Sequence, residues 1–206
     1  TNDRRQRQMC IRDSHNINAN GKIAMKLNDN DKLVNVLTCS EDSNIFLSTK
    51  LGKCIRFSCS DLRIFSGRSS IGVRGIKLSK GDTVISLAIL NGIDFDVTER
   101  DEYLRISTLM RKNEKIENNN LNDEKFKNLQ ENEEFILSVT DKGFGKRSSA
   151  FEYRKTKRGG LGIANMQLSN RNGSQGVASF PINHSDQLVL VTDKGKLIRC
   201  PVNDVR

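Results

Sequence analysis

The stretch "TKRGGLGIANMQL" at residues 156–168 sets Lys157 and Arg158 against Gly159 and Gly160, then alternates apolar with polar positions. Lys and Arg side chains offer charge-assisted N–H bonds to phosphate oxygens, and glycines let a backbone approach those oxygens closely. The chemistry on offer is anion binding. Catalysis is poorly served, because His15 and His184 are the only histidines and neither has a convergent partner in sequence. Asp141 and Asp193 share one turn position, where Asp is chosen for turn chemistry. The five cysteines (Cys10, Cys39, Cys54, Cys59 and Cys200) form no C-x-x-C pair and accompany no His cluster. Neither a disulfide framework nor a metal site is expected, and the reading is of a reduced, cytosolic protein. Two tyrosines and no tryptophan leave little for stacking on single-stranded bases.

Charge sharpens the anion reading. The net formal charge is +9, yet residues 91–134 hold twelve Asp/Glu and seven Lys/Arg, a local −5, so the remainder carries +14. A basic surface of that size fits nucleic acid. No run approaches the length of a membrane span, so no membrane partner is expected.

The elements that must position these residues emerge as repeats. "GKIAMKL" (21–27), "GVRGIKL" (72–78) and "GIANMQL" (162–168) share a leading Gly, a closing Leu and the alternation between them. Each is followed by a second signature: "IFLSTKLGKCIRF" (45–57), "ILSVTDKGFGKRS" (136–148) and "LVLVTDKGKLIRC" (188–200), aligned on Gly52, Gly143 and Gly195 and on Arg56, Arg147 and Arg199. The Thr-x-x-Gly between two apolar runs predicts a β-hairpin whose Gly takes a positive φ. "KLVNVLTC", "TVISLAIL" and "GVASFPI" supply a further strand each, giving four short strands per unit of about fifty residues, the size of a propeller blade.

The two glycines lie 31 and 33 residues apart in the outer copies and 71 in the middle one, so about forty residues are inserted there, in the acidic stretch. Tyr103, Leu104, Ile106, Leu109 and Met110 recur at near-helical spacing, which predicts one or two short helices on a solvated excursion. An acidic appendage that competes with DNA is the sharper alternative. Removing 91–131 restores the common spacing and is expected to leave the β fold intact.

The opening "TNDRRQRQMCIRDS" fits no structural period and resembles translated sequencing-adapter read-through, so residues 1–14 are set aside. The expected organisation is a blade at 15–65, a blade at 66–154 carrying the insertion at about 91–134, and a blade at 155–206.

"GRSSIGVRGIKL" (67–78), "KGFGKRSSAFEY" (142–153) and "LVLVTDKGKLIRCPVNDVR" (188–206) resemble the C-terminal domain of bacterial DNA gyrase A subunits, with the equivalent domain of topoisomerase IV as the alternative within that group. The resemblance implies an all-β fold, a β-pinwheel or propeller-like array of four-stranded blades, of which about three are present. It implies double-stranded DNA as partner, bent around a basic rim. It further implies assembly, two of each, of the B subunit with the complete A subunit. A bacterial, nucleoid-associated location in the cytoplasm goes with this. No cofactor or catalytic residue is expected here, since Mg2+, ATP and the DNA-cleaving tyrosine belong elsewhere in the holoenzyme. "TKRGGLG" (156–162) is similar to that family's glutamine-led basic box but departs from it at Thr156 and Leu161, and its position suggests a related blade-junction loop.

The expected DNA track comprises Arg68, Arg74 and Lys77, then Lys146 and Arg147 on the middle hairpin. Arg154, Lys155, Lys157 and Arg158 follow with Gly159 and Gly160, and Lys196 and Arg199 lie beyond. For Arg56, Arg147 and Arg199 the alternative is that the side-chain stem packs against the next blade. A protein-interaction propeller is the competing function; it accounts for the repeats and leaves the basic charge unexplained.

Overall fold

The computed structural model describes residues 23–65, 70–93, 95–116 and 121–205, in two compact units. In the smaller unit the described residues are 23–32, 64–65 and 70–73. There Lys26 N donates to Ser70 O at 3.1 Å, and Gly72 sits at φ +86° beside Met25.

The larger unit carries the sheets. Strands β1 (Asn44–Thr49) and β2 (Lys53–Ser58) form one hairpin, β4 (Phe135–Thr140) and β5 (Gly145–Ser149) a second, and β8 (Gln187–Val191) and β9 (Leu197–Pro201) a third. Their turns are stereochemically the same. Gly52, Gly143 and Gly195 have φ of +77°, +78° and +76°, and each N–H donates to the carbonyl of Thr49, Thr140 or Thr192 at 2.9–3.1 Å. The hydroxyl of the same threonine accepts from the next residue's N–H: Lys53 at 3.2 Å, Phe144 at 3.3 Å and Lys196 at 3.1 Å. Thr supplies the acceptor and Gly the left-handed backbone, which is why Thr-x-x-Gly recurs. A single 3-10 turn follows each hairpin, at Cys59–Asp61, Ala150–Glu152 and Val202–Asp204; Ser58 and Ser149 cap the first two.

Strand β3 (Val84–Leu90) joins the first hairpin antiparallel to β1, and β7 (Gly176–Ile182) joins the second antiparallel to β4; each ladder slips one residue before its turn threonine. The two-residue strand β6 (Ile163–Ala164) completes the first sheet on the far edge of β2, in the order β3-β1-β2-β6. The other sheets are β5-β4-β7 and β8-β9. The first sheet therefore draws on residues 44–58, 84–90 and 163–164, and a sheet is not one contiguous repeat. "GIANMQL" contributes only two strand residues, while 23–27, 32–39 and 72–78 form no strand, so four strands per unit holds for the first sheet alone among the described residues.

Period-two alternation stacks these sheets face to face. Phe46, Cys54, Ala88 and Leu90 of the first meet Ile136, Ala150 and Tyr153 of the second, with Phe46 and Tyr153 edge to face at 5.0 Å. Leu137 and Ile182 on the opposite face of the second meet Leu188 and Val202 of the third. On the outer face of the first sheet, Ile45, Ile55 and Phe57 pack with Ile76. Between the first two sheets runs a polar seam. Asn165 Nδ2 donates to Ser138 Oγ (3.1 Å) and Ser179 Oγ (3.0 Å), and Tyr153 Oη donates to Asn165 Oδ1 (2.8 Å), all buried. Satisfied in this way, the seam specifies one register between the sheets.

The insertion forms helices α1 (Val97–Lys112) and α2 (Asp123–Glu131). Asp96 and Glu99 make a reciprocal capping box at the start of α1, and Asn113, in the left-handed region, closes it. The expectation of a solvated excursion is corrected. Tyr103, Ile106, Leu121 and Leu129 bury a core of their own together with Phe151 of the β domain, and Phe95 meets Phe151 edge to face at 4.9 Å. No helix among the described residues is long and apolar enough to cross a membrane.

Candidate nucleic-acid interface

The loop that carries Lys157 and Arg158 is built against the exposed edge of β2. Lys155 bridges Arg56 in parallel, Thr156 N donates to Arg56 O at 2.8 Å, the chain reverses at Gly159–Gly160, and Ile163–Ala164 return antiparallel to Lys53–Cys54. Two glycines permit that reversal. Gly159 lies at φ +80°, and Gly162, at φ +70°, passes so near β2 that a Cβ would fall 2.4 Å from Cys54 O. The tip is pinned to 74–77 by two main-chain bonds, Gly159 N to Gly75 O (2.6 Å) and Lys77 N to Gly160 O (2.8 Å).

This geometry occupies part of the donor set that a phosphate cradle would use. The Gly159 N–H is already spent on Gly75, and the Arg158 guanidinium donates from Nε to Asp61 O and from Nη1 to Arg74 O, both at 3.2 Å. Arg158 is thus a clamp that joins the loop to the turn after β2 and to residue 74. The exposed side chains beside it are those of Arg74, Lys77, Lys155 and Lys157. Lys155, Thr156 and Lys157 also line a cleft of about 620 Å³ together with Glu41, Asp42 and Asp61. Cations and carboxylates thus share one cleft.

The other expected residues are spread over separate sheets. Lys146, exposed on β5, donates through Nζ to Asn165 O at 3.3 Å. Arg147 is half-buried, its Nη1 on Asn203 Oδ1 at 3.1 Å and its guanidinium 5.6 Å above the Phe135 ring, the stem-packing alternative in part. Arg154 is exposed after the 3-10 turn; Lys196 and Arg199 are exposed on the last hairpin, where Arg199 Nε donates to Gln187 Oε1. Arg68, Gly21 and His15 lie outside the described residues.

Sequence reasoning left Arg56 open, and the structure resolves it. Arg56 is 3% exposed; Nη1 donates to Ala150 O (2.8 Å) and Nη2 to Asn91 O (3.3 Å), so it ties β2 to the start of the insertion and to the 3-10 turn after β5. Burial pulls its pKa down, an effect opposed by Glu134, whose own carboxyl is pushed up by burial. The signal was there in sequence: Arg56 alternates with Cys54 on the inward face of a buried strand.

Stacked antiparallel sheets with repeated hairpins, presenting cations on turns and edges, define a propeller-type domain. The sequence profile of the family described as "DNA gyrase C-terminal domain, beta-propeller" matches residues 16–40, 43–91, 134–177 and 186–206, leaving out the helical insertion. This chain belongs to that family. The DNA gyrase A subunit of Granulibacter bethesdensis is 43% identical over 221 residues, and that of Rickettsia prowazekii 45% identical over 208; each alignment takes in 97% of this chain and about a quarter of the relative (24% and 23%). Two solved structures share the fold at 21% identity and cover 89% of this chain: the C-terminal domain of DNA topoisomerase IV (TM-score 0.65, 44% of that chain) and the DNA gyrase A C-terminal domain (TM-score 0.63, 49% of that chain).

Proposed function

We propose that this chain binds and bends duplex DNA as the wrapping part of a gyrase A subunit. The observation that carries the reading is the loop at 155–162: a reversal held by main-chain bonds and the Arg158 clamp, with Arg74, Lys77, Lys155 and Lys157 exposed around it. Lys and Arg side chains on a rigid support engage phosphates irrespective of sequence, and basic residues on successive hairpins extend the contact along a curve. The expected track comprises Arg68, Arg74, Lys77, Lys146, Arg154, Lys155, Lys157, Lys196 and Arg199, with Arg147 contributing from its half-buried position. Arg158, exposed on the same loop, belongs to the track while also holding it in place, with Gly159 and Gly160 at the reversal. Bending a short duplex by 40–90° costs about 1–6 kcal/mol, which many backbone contacts must offset.

In the longer protein, such wrapping would present a DNA segment for ATP-driven strand passage by two A and two B subunits in the bacterial cytoplasm. ATP and Mg2+ would act outside this stretch. The blade boundaries at 65 and 154 belong to the same proposal.

The test is binding of the chain to a duplex of about 40 base pairs across a salt series, with end-to-end distance read by energy transfer. The expected result is a log–log salt slope of several units with shortened ends, independent of sequence. Changing Lys157→Ala should lower the slope by about one unit. Salt-insensitive binding, or a folded chain that does not bind, would refute wrapping and favour a protein-interaction propeller.

A further inference from the structure

Cys39 and Cys59 come from opposite ends of the first hairpin region, yet their Sγ atoms lie 3.4 Å apart. Cys39 is exposed in the extended approach to β1; Cys59 is half-buried in the 3-10 turn Cys59–Asp61 after β2. The turn is fixed from the other side, since Cys59 N donates to Ser43 O at 2.9 Å and Ser58 caps it. A disulfide needs the sulfurs at about 2.03–2.05 Å, so they must approach by roughly 1.4 Å, a movement within reach of an exposed side chain. We propose that Cys39 and Cys59 form a reversible thiol–disulfide site, oxidised by low-molecular-weight disulfides such as glutathione disulfide. The assignment is independent of DNA binding.

The chemistry divides the roles. The thiolate of exposed Cys39 attacks one sulfur of the small disulfide, forming a mixed disulfide and expelling one small thiolate, which takes up the proton that Cys39 lost. Cys59 then gives up its proton and attacks Cys39 Sγ, forming the Cys39–Cys59 bond and releasing the second small thiol. Two cysteine thiols are oxidised and one small disulfide is reduced to two thiols. Burial and the hydrogen bond with Cys39 push the Cys59 thiol up, which makes it the resolving partner and Cys39 the attacking one. Cys54 is inert by comparison: it is buried in the inter-sheet core, and that burial pushes its thiol up to about 12. The new bond would tie the approach to β1 onto the turn whose Asp61 carbonyl receives Arg158.

The experiment equilibrates the full chain with glutathione and glutathione disulfide, quenches with acid, and maps the product by alkylation and peptide mass. The expected result is a fall from five alkylatable thiols to three, a peptide linking Cys39 with Cys59, and recovery of all five on reduction. In Cys59→Ser the glutathione adduct should persist on Cys39, whereas Cys39→Ser should leave Cys59 unreacted. Five thiols remaining in the unaltered chain would overturn the proposal, as would a glutathione adduct that stays on Cys39, or a bond involving Cys10 or Cys200. Mapping the unaltered chain decides the matter even where a serine variant fails to fold.

Discussion

Changing Arg56→Met is expected to destabilise the β domain by about 3–5 kcal/mol, the cost of removing one partner from a buried charged network. Two carbonyls, Ala150 O and Asn91 O, lose a charged donor, each such bond being worth roughly 1.5–3 kcal/mol, and the methionine stem replaces only the apolar part of the side chain. With an m value of about 2 kcal/mol per molar in urea, the unfolding midpoint should fall by roughly 1.5–2.5 M. The loss has a pH signature. Glu134 already has a raised pKa, so the native state holds its proton more tightly than the unfolded state, and stability falls as pH rises above the ordinary carboxylate range. Without the Arg56 charge that pKa rises further, so the variant should be closer to the unaltered chain near pH 4.5 than at pH 7. Urea titrations at both values, followed by circular dichroism, measure the difference. A midpoint shift below about 0.3 M at pH 7 would show that solvent reaches these carbonyls and that Arg56 does not hold the insertion in place.

Two further outcomes are expected. Tyr103→Ala removes the centre of the insertion's own core, at about 3–5 kcal/mol locally; amide exchange should quicken across 97–131 while β1 and β2 stay protected, and uniform quickening would refute a separable core. Gly162→Ala should lower the melting temperature well beyond Gly195→Ala. Both residues sit at positive φ, worth about 1–2 kcal/mol for a non-glycine, but only Gly162 would thrust a Cβ against the Cys54 carbonyl, and Gly195 has open space. Equal shifts in calorimetry would refute close approach as the reason for Gly162.

The hairpins were legible because their information is local: Thr-x-x-Gly states both the acceptor and the backbone sign of the turn, and three copies agree. The edge segments were not. "GIANMQL" alternates as a strand should, yet only Ile163 and Ala164 pair, because β2 ends at its turn, where Asn165 N and Met166 N both donate to Gly52 O, and the Asn165 side chain enters the seam between Ser138 and Ser179. Alternation also overstated 23–27 and 72–78, since strand pairing depends on an available neighbour and that is a property of the whole array. The helical spacing of Tyr103 and Ile106 showed the helix correctly but not its partner, because Phe151 is distant in sequence. At the 155–162 loop, residue types conveyed charge and flexibility. What they could not convey was that Arg158, though exposed, turns two of its N–H donors back onto the protein, a fact set by where the Asp61 and Arg74 carbonyls arrive.

The loop at 155–162 owes its shape to bonds of the main chain: Thr156 to Arg56, Gly159 to Gly75, and Lys77 to Gly160. Such bonds are indifferent to side-chain identity, so Arg154, Lys155 and Lys157 can change from lineage to lineage without reshaping their support. Surface charge can then drift by single substitutions while the architecture stays constant. The surface is evolvable one charge at a time, while the positive-φ glycines keep its support in shape.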